Sequence, residues 1–174
     1  DYLLTVTYNG IESNDIEFAV QAESEPVSEA TINVLTNSLS DSTLVTSPAT
    51  YLSASGVTIS SASASNVYGG AGEAKFRFSS SKNPSSLTIN FSSGVVITSV
   101  SLSVAEYNTT DTISIMAATS ANTAGQSMTL STASATLSYT AFANDTSEST
   151  SITISSPTSN RFFLYNITLG IGAP

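Results

Sequence analysis

Nucleophilic hydrolysis by a triad or dyad needs a histidine or cysteine to activate the nucleophile, and the 174 residues contain neither. Zinc and the other borderline metals lose their usual ligands with them. Two carboxylates suffice for glycoside hydrolysis, but beyond residue 29 the acids are only Asp41, Glu73, Glu106, Asp111, Asp145 and Glu148. No two of them are two apart, so no strand projects neighbouring acids onto one face. Calcium wants several oxygen ligands in one loop, and neither the segment with Glu106 and Asp111 nor that with Asp145 and Glu148 holds an Asp-rich run. The expectation is a protein without catalytic residues, metal or cofactor. One binding chemistry the residue types allow is recognition of sugars by aromatic rings beside hydrogen-bonding side chains. Tryptophan is absent; Tyr51, Tyr68 and Tyr107, at or beside expected loops, stand in for it, with Arg77 and Asn108 as polar partners. The same tyrosines also read as caps on the core, each with its hydroxyl at the rim.

Charge narrows the partners. Thirteen acids stand against Lys75, Arg77, Lys82 and Arg161, a net charge of −9, and seven of those acids lie in the first 29 residues. Nucleic acid and anionic membrane are disfavoured, since both call for a basic patch. No apolar run approaches the ~20 residues of a membrane-spanning helix, and with no initiating Met or signal peptide the chain reads as a mature or excised piece of a longer protein. Without cysteine, redox chemistry says nothing of the compartment. Four Asn-X-Ser/Thr sequons, at Asn90, Asn108, Asn144 and Asn166, match what chance gives with twelve Asn in a chain about one-third Ser and Thr. That bias would suggest low-complexity disorder, but 40% hydrophobic residues and a mean hydropathy of +0.15 oppose it.

Alternation shows where the Ser and Thr go. In the stretch from Ala71 to Tyr107, Ala74, Phe76 and Phe78 alternate with Lys75 and Arg77. Leu87, Ile89 and Phe91 alternate with Thr88 and Asn90, and Val100, Leu102 and Val104 with Ser101 and Ser103. Period two gives each strand one buried and one wet face, the mark of antiparallel layers. Turns are expected at Lys82-Asn83-Pro84 and Ser92-Ser93-Gly94. Ile32 and Val34, Val57 and Ile59, Ile113 and Ile115, Leu137 and Tyr139, and Ile152 and Ile154 supply further short strands, with a long loop from Ala118 to Gln126. Tyr68-Gly69-Gly70-Ala71-Gly72 reads as a flexible turn and not a phosphate cradle, because no helix follows it. The last strand takes Phe163, Tyr165, Ile167, Leu169 and Ile171 as its buried set, and Phe162 and Leu164 on its other face place it mid-sheet. Nothing reads as a helix. Eight to ten short strands make an all-β, antiparallel two-sheet β-sandwich of jelly-roll type. Lys75, pointing outward, and Lys82, in a turn, are poorly placed for an internal isopeptide bond.

Ahead of this domain, residues 1–22 read as a β-hairpin. Leu4, Val6 and Tyr8 lie on one side of Asn9-Gly10, and Ile16, Phe18 and Val20 on the other. A simple two-residue turn would put the second set on the wrong face, so one extra residue within Glu12 to Asp15 is required. YLLTVTYNG followed by IEFAV resembles the last two strands of a bacterial immunoglobulin-like domain, of the kind strung in tandem along secreted surface proteins. The earlier strands of such a domain are missing. A lone hairpin is marginal in water, so these six apolar residues are expected to pack on the following domain, to complete a sheet in another chain, or to mark a domain cut short. Residues 23–29, ESEPVSE, read as an acidic linker.

From residue 30 to 174 the order of features resembles galactose-binding-like jelly-roll modules of secreted multidomain bacterial proteins. It runs through a Gly-rich loop, FRFSSSKNPSSLTINF, ITSVSLSVAEY, SITISS and RFFLYNITL. The resemblance implies an extracellular module, secreted or at the cell surface, whose partners are neighbouring domains, like subunits or glycans. Three functions follow as expectations: a non-catalytic structural or adhesive unit first, a carbohydrate-binding module second, and a fibre subunit exchanging residues 2–20 third. Fold alone does not choose among them.

Overall fold

The computed structural model describes residues 28–80, 83–107 and 112–173, with the backbone of 2–4, 7–8, 11–12 and 16–18. Val6, Val20, the Asn9-Gly10 turn, residues 23–27 of the linker, Lys82 and Asn108 lie outside the described residues. In the hairpin, β1 (Tyr2–Leu4) pairs with β4 (Ile16–Phe18), and β2 (Thr7–Tyr8) with β3 (Ile11–Glu12). Tyr8 opposes Ile11, whereas Leu4 opposes Ile16 and Tyr2 opposes Phe18. The two registers differ by one residue, the offset that the apolar pattern demands. Among the described residues, these four strands pair only with one another.

The remaining strands form one hydrogen-bonded network folded into two layers, every pairing antiparallel. They are β5 (Ser28–Val34), β6 (Leu52–Ser55), β7 (Ile59–Ser65), β8 (Val67–Tyr68), β9 (Phe76–Phe78) and β10 (Ser85–Glu106). Then come β11 (Ile113–Thr119), β12 (Gln126–Leu130), β13 (Ser134–Tyr139), β14 (Glu148–Ser156) and β15 (Phe162–Gly172). The sequence suggests two strands joined by a turn at Ser92-Ser93-Gly94. The structure shows instead one continuous 22-residue strand, β10, with a register shift between Asn90 and Val95. A strand that bends at a bulge satisfies its backbone without leaving the sheet, and so passes from one layer to the other. Its first half lies between β7 and β14, with β11 and β12 beyond; its second half lies between β13 and β15, with β5 and β6 beyond. The last three strands alternate between the layers, as a jelly-roll type sandwich requires.

One core fills the space between the layers. Phe76, Phe78, Leu87, Ile89, Leu102, Ile113, Ile115, Ile152, Ile154, Phe162, Leu164 and Ile167 are each no more than 1% exposed. Each such burial contributes about 1.5–3 kcal/mol. Phe78 and Phe162 stack at 4.6 Å across β9 and β15. The Tyr139 hydroxyl, fully buried, donates to the Ile115 carbonyl at 3.0 Å. Burial holds this phenol well above its ordinary pKa.

The structure revises several expectations. In β15 the core takes Phe162 and Leu164, not Phe163 and Tyr165. Ser103 faces Asn166 while Val104 faces Leu164, so Tyr165 is an extra residue that flips the phase of everything before it. Ile167 and Leu169 keep their expected burial, and β15 is central as expected. Among the described residues a single 3-10 turn, Pro48–Tyr51, starts on the fixed φ of its proline. β5 begins at Ser28, so the last two linker residues already pair, Ser28 with Ile171 and Glu29 with Gly170. The expected loop from Ala118 is shorter, since β11 runs on to Thr119.

The glycine-rich turn is pinned. Gly69 and Gly70 are buried, and Gly69, Ala71 and Gly72 donate to the carbonyls of Thr43, Leu39 and Asn37 at 3.0, 2.8 and 2.7 Å. A Cβ on Gly69 would sit 2.4 Å from Leu39. These glycines let two backbones touch, which is why no bulkier residue stands there.

Candidate functional site

β9 is the residue ladder on which the site is built. Phe76 and Phe78 face the core, so Arg77 between them turns to the outer side. There it lies in register with Phe163 of β15 on one side and Tyr68 of β8 on the other. Phe163 faces outward only because of the extra residue at Tyr165. Asn37, buried in the segment that crosses this end of the sheet, ties the surround together. Its amide donates to the Lys75 carbonyl at 3.2 Å, and its carbonyl accepts from Gly70 N–H at 2.7 Å.

The side chains gathered here form a stack. The Arg77 guanidinium lies 4.2 Å from the Tyr68 ring centre and 5.2 Å from that of Tyr107, and the Arg161 guanidinium lies 4.4 Å from Tyr107. The order is therefore Tyr68, Arg77, Tyr107, Arg161. Tyr107 is braced by a tilted contact with Phe163 at 5.3 Å, and its hydroxyl donates to Asp41 Oδ2 at 3.0 Å. The Lys75 ammonium sits 3.9 Å over the Phe163 ring and 2.8 Å from Glu73 Oε2. Arg77, 6% exposed, donates to the carbonyls of Asp41 and Ser79, while its Nε has no partner among the described residues. A guanidinium so desolvated makes cation–π contacts worth about 2 kcal/mol, against about 0.5–1 at exposed rings.

Of the sequence-nominated residues, the structure brings Tyr68, Arg77 and Tyr107 together. Tyr51 is not with them. Its ring packs edge-on against Phe76 at 6.4 Å, on the core side of β9, because the 3-10 turn carries it under the sheet. Lys75 points outward as its alternation requires, yet its side chain is only 12% exposed, covered by Phe163 and Glu73. Sequence reasoning missed Arg161, Phe163, Lys75 and Asp41. The one signal available was charge: with only four cations in the chain, their convergence was worth asking about. Three of the four meet here, and the fourth, Lys82, lies outside the described residues.

Elsewhere one cleft is uncharged and largely hydroxyl-lined. With a volume of about 410 Å³, it lies over β11 and β14 between Met116, Ala118, Thr119, Ser151 and Thr153, without a charged or aromatic side chain among its lining residues. Among the described residues no group of acids is placed to hold a metal ion, and no helix is long and apolar enough to cross a membrane.

No protein-family model matches the chain, and no curated protein matches it in sequence. Among solved structures it is similar to carbohydrate-binding modules. One is the CBM32 module of AlyQ in complex with 4,5-unsaturated mannuronic acid, 17% identical over 65% of this chain and 95% of that one, with a TM-score of 0.45. A family 29 carbohydrate-binding module is 12% identical over 82% and 90%, with a TM-score of 0.45. The low-affinity xylan-binding module CBM86 from Roseburia intestinalis is 12% identical over 66% and 89%, with a TM-score of 0.41. At TM-scores below 0.5 none of these likenesses bears on the chemistry of the site.

Proposed function

We propose that residues 30–174 are a non-catalytic binding module of a larger extracellular protein, an adhesive unit that recognises carbohydrate where β8, β9 and β15 meet. The observation that supports this is the composition of that one place. Three cations and three aromatic rings collect at one end of a sandwich whose faces otherwise carry Ser and Thr. Rings flanked by fork-shaped donors suit a hydroxyl-rich ligand, whose ring carbons and oxygens present alternately apolar and polar edges. Asn108, next in sequence to Tyr107, belongs to the same proposal. For residues 1–22 the proposal is the end of a preceding domain or strands exchanged with another chain, with Leu4, Val6, Tyr8, Ile16, Phe18 and Val20 as the contact set.

The test is a glycan array probed with the intact chain, followed by calorimetry on the hits. Tyr107→Ala is expected to weaken binding at least tenfold while the thermal transition survives. A chain that binds no glycan of plant, host or bacterial origin would leave the structural unit and the strand-exchanging fibre subunit.

A further inference from the structure

Each ring at the site already has a cation on it. Lys75 lies over Phe163, Arg77 over Tyr68, and Arg77 and Arg161 both over Tyr107. Stacking a neutral sugar needs an unoccupied ring face beside the ligand. The cations cover at least one face of each ring, so they compete with a neutral sugar for the aromatic surface.

The three cations differ in what else holds them. Lys75 is neutralised by Glu73 at 2.8 Å. Arg77 is buried and spends its terminal nitrogens on the carbonyls of Asp41 and Ser79. Arg161 is partly exposed; its guanidinium lies over the Tyr107 ring, and its carbonyl accepts from Tyr107 N–H at 3.3 Å. That ring is fixed in turn by Asp41 and Phe163. A guanidinium held over a braced ring, with no carbonyl or carboxylate among the described residues taking its nitrogens, has a donor fork suited to two oxygens of one anionic group.

On the reading of the site as glycan-binding, we infer that the ligand is an acidic glycan. Its carboxylate or sulfate ester is gripped by Arg161, with Tyr107 as the positioning ring beneath. The −9 charge of the chain gives no general attraction for polyanions, so such binding has to be local. Beyond residue 29 the formal balance is only −2, from six acids and four bases, and a Debye length of about 8 Å at physiological salt screens the acidic start from any site farther away.

The experiment is calorimetry on the intact 174-residue chain with three probes of matched length: an oligouronate, a sulfated neutral oligosaccharide and the uncharged parent oligosaccharide. The inference expects one of the two anionic probes to bind, and which one binds tells carboxylate from sulfate. Arg161→Gln should weaken that binding about tenfold or more, as loss of a charge-assisted bidentate contact does, with Arg161→Lys intermediate. Raising salt from 50 to 300 mM should weaken the parent more than Arg161→Gln. The thermal transition of both variants should stay within about 2 °C, since an exposed cation–π contact is small. Equal binding of the uncharged oligosaccharide, unmoved by Arg161→Gln, overturns the acidic-ligand inference and leaves carbohydrate recognition standing. Failure of all three probes, together with a blank glycan array, sinks both.

Discussion

The broad faces of the sandwich and the end where β8, β9 and β15 meet are made by the same alternation, and they come out as opposites. On the second layer, Ser138, Ser101, Thr168, Thr31 and Ser55 stand opposite one another across five strands. On the first, Ser63, Thr88 and Thr153 form a similar row, with the Thr88 and Thr153 hydroxyls 2.9 Å apart. These side chains are short, and they satisfy one another or water. At the end of the second layer the row reads Ala105, Phe163, Arg77, Tyr68. There the side chains are long and a crossing segment closes over them. The difference teaches that period two supplies an outer face, while one extra residue and one covering loop decide whether that face is a coat or a site.

The comparison can be broken by substitution, beginning with the residue that the end depends on most. Arg77→Ala should cost about 2–4 kcal/mol in urea denaturation, because it strands the carbonyls of Asp41 and Ser79 and removes both ring contacts. A loss below about 1 kcal/mol would mean that the stack is decoration on an already stable end. Gly69→Ala should cost about 1–3 kcal/mol, since its new methyl meets Leu39 and must push the pinned turn away from the segment that carries Asn37 and Asp41. The same variant should also weaken any ligand held at Tyr107, which separates positioning of the site from mere stability.

Tyr139 sharpens the contrast from the interior. Its folded pKa is raised by burial, so between the unfolded value near 10 and the higher folded value only the unfolded chain releases this proton. Stability is intact below that range and falls across it, by up to about 1.4 kcal/mol per pH unit from this one group. Unfolding curves at pH 9 and pH 11 measure the slope, and Tyr139→Phe should flatten it. An unchanged slope in that variant would show that other groups set the alkaline limit. The smallest effects belong to the faces: Thr88→Val and Ser101→Ala should each move stability by no more than about 0.5 kcal/mol. A larger loss at either would mean that the hydroxyl rows hold the layers together.

Much of the fold was legible because burial follows residue type along a strand. Phe76, Ile89, Leu102 and Ile167 fall in the core as their alternation requires, and the one-residue offset in the first hairpin follows from the same rule. What misled was local chemistry read as an ending. Ser92-Ser93-Gly94 has the composition of a turn, yet a strand that changes layer needs the same small, permissive residues at its bend. The site was half legible. Tyr68, Arg77 and Tyr107 could be nominated from type and loop position, whereas Tyr51 fell on the wrong side of β9 through a single 3-10 turn.

By itself the sequence settled the all-β class, the buried and wet sets of most strands, and the lack of the histidine and cysteine that much enzyme chemistry requires. All of these depend on near neighbours, whose spacing the backbone period fixes. The meeting of Lys75, Arg77, Tyr107 and Arg161 was decided only in three dimensions. It depends on which strands lie side by side, on the slip at Tyr165, and on the Asn37 clasp that joins segments 33 and 38 residues apart in the chain. Contacts at such separations are chosen by the packing of the whole core, and no local pattern encodes them.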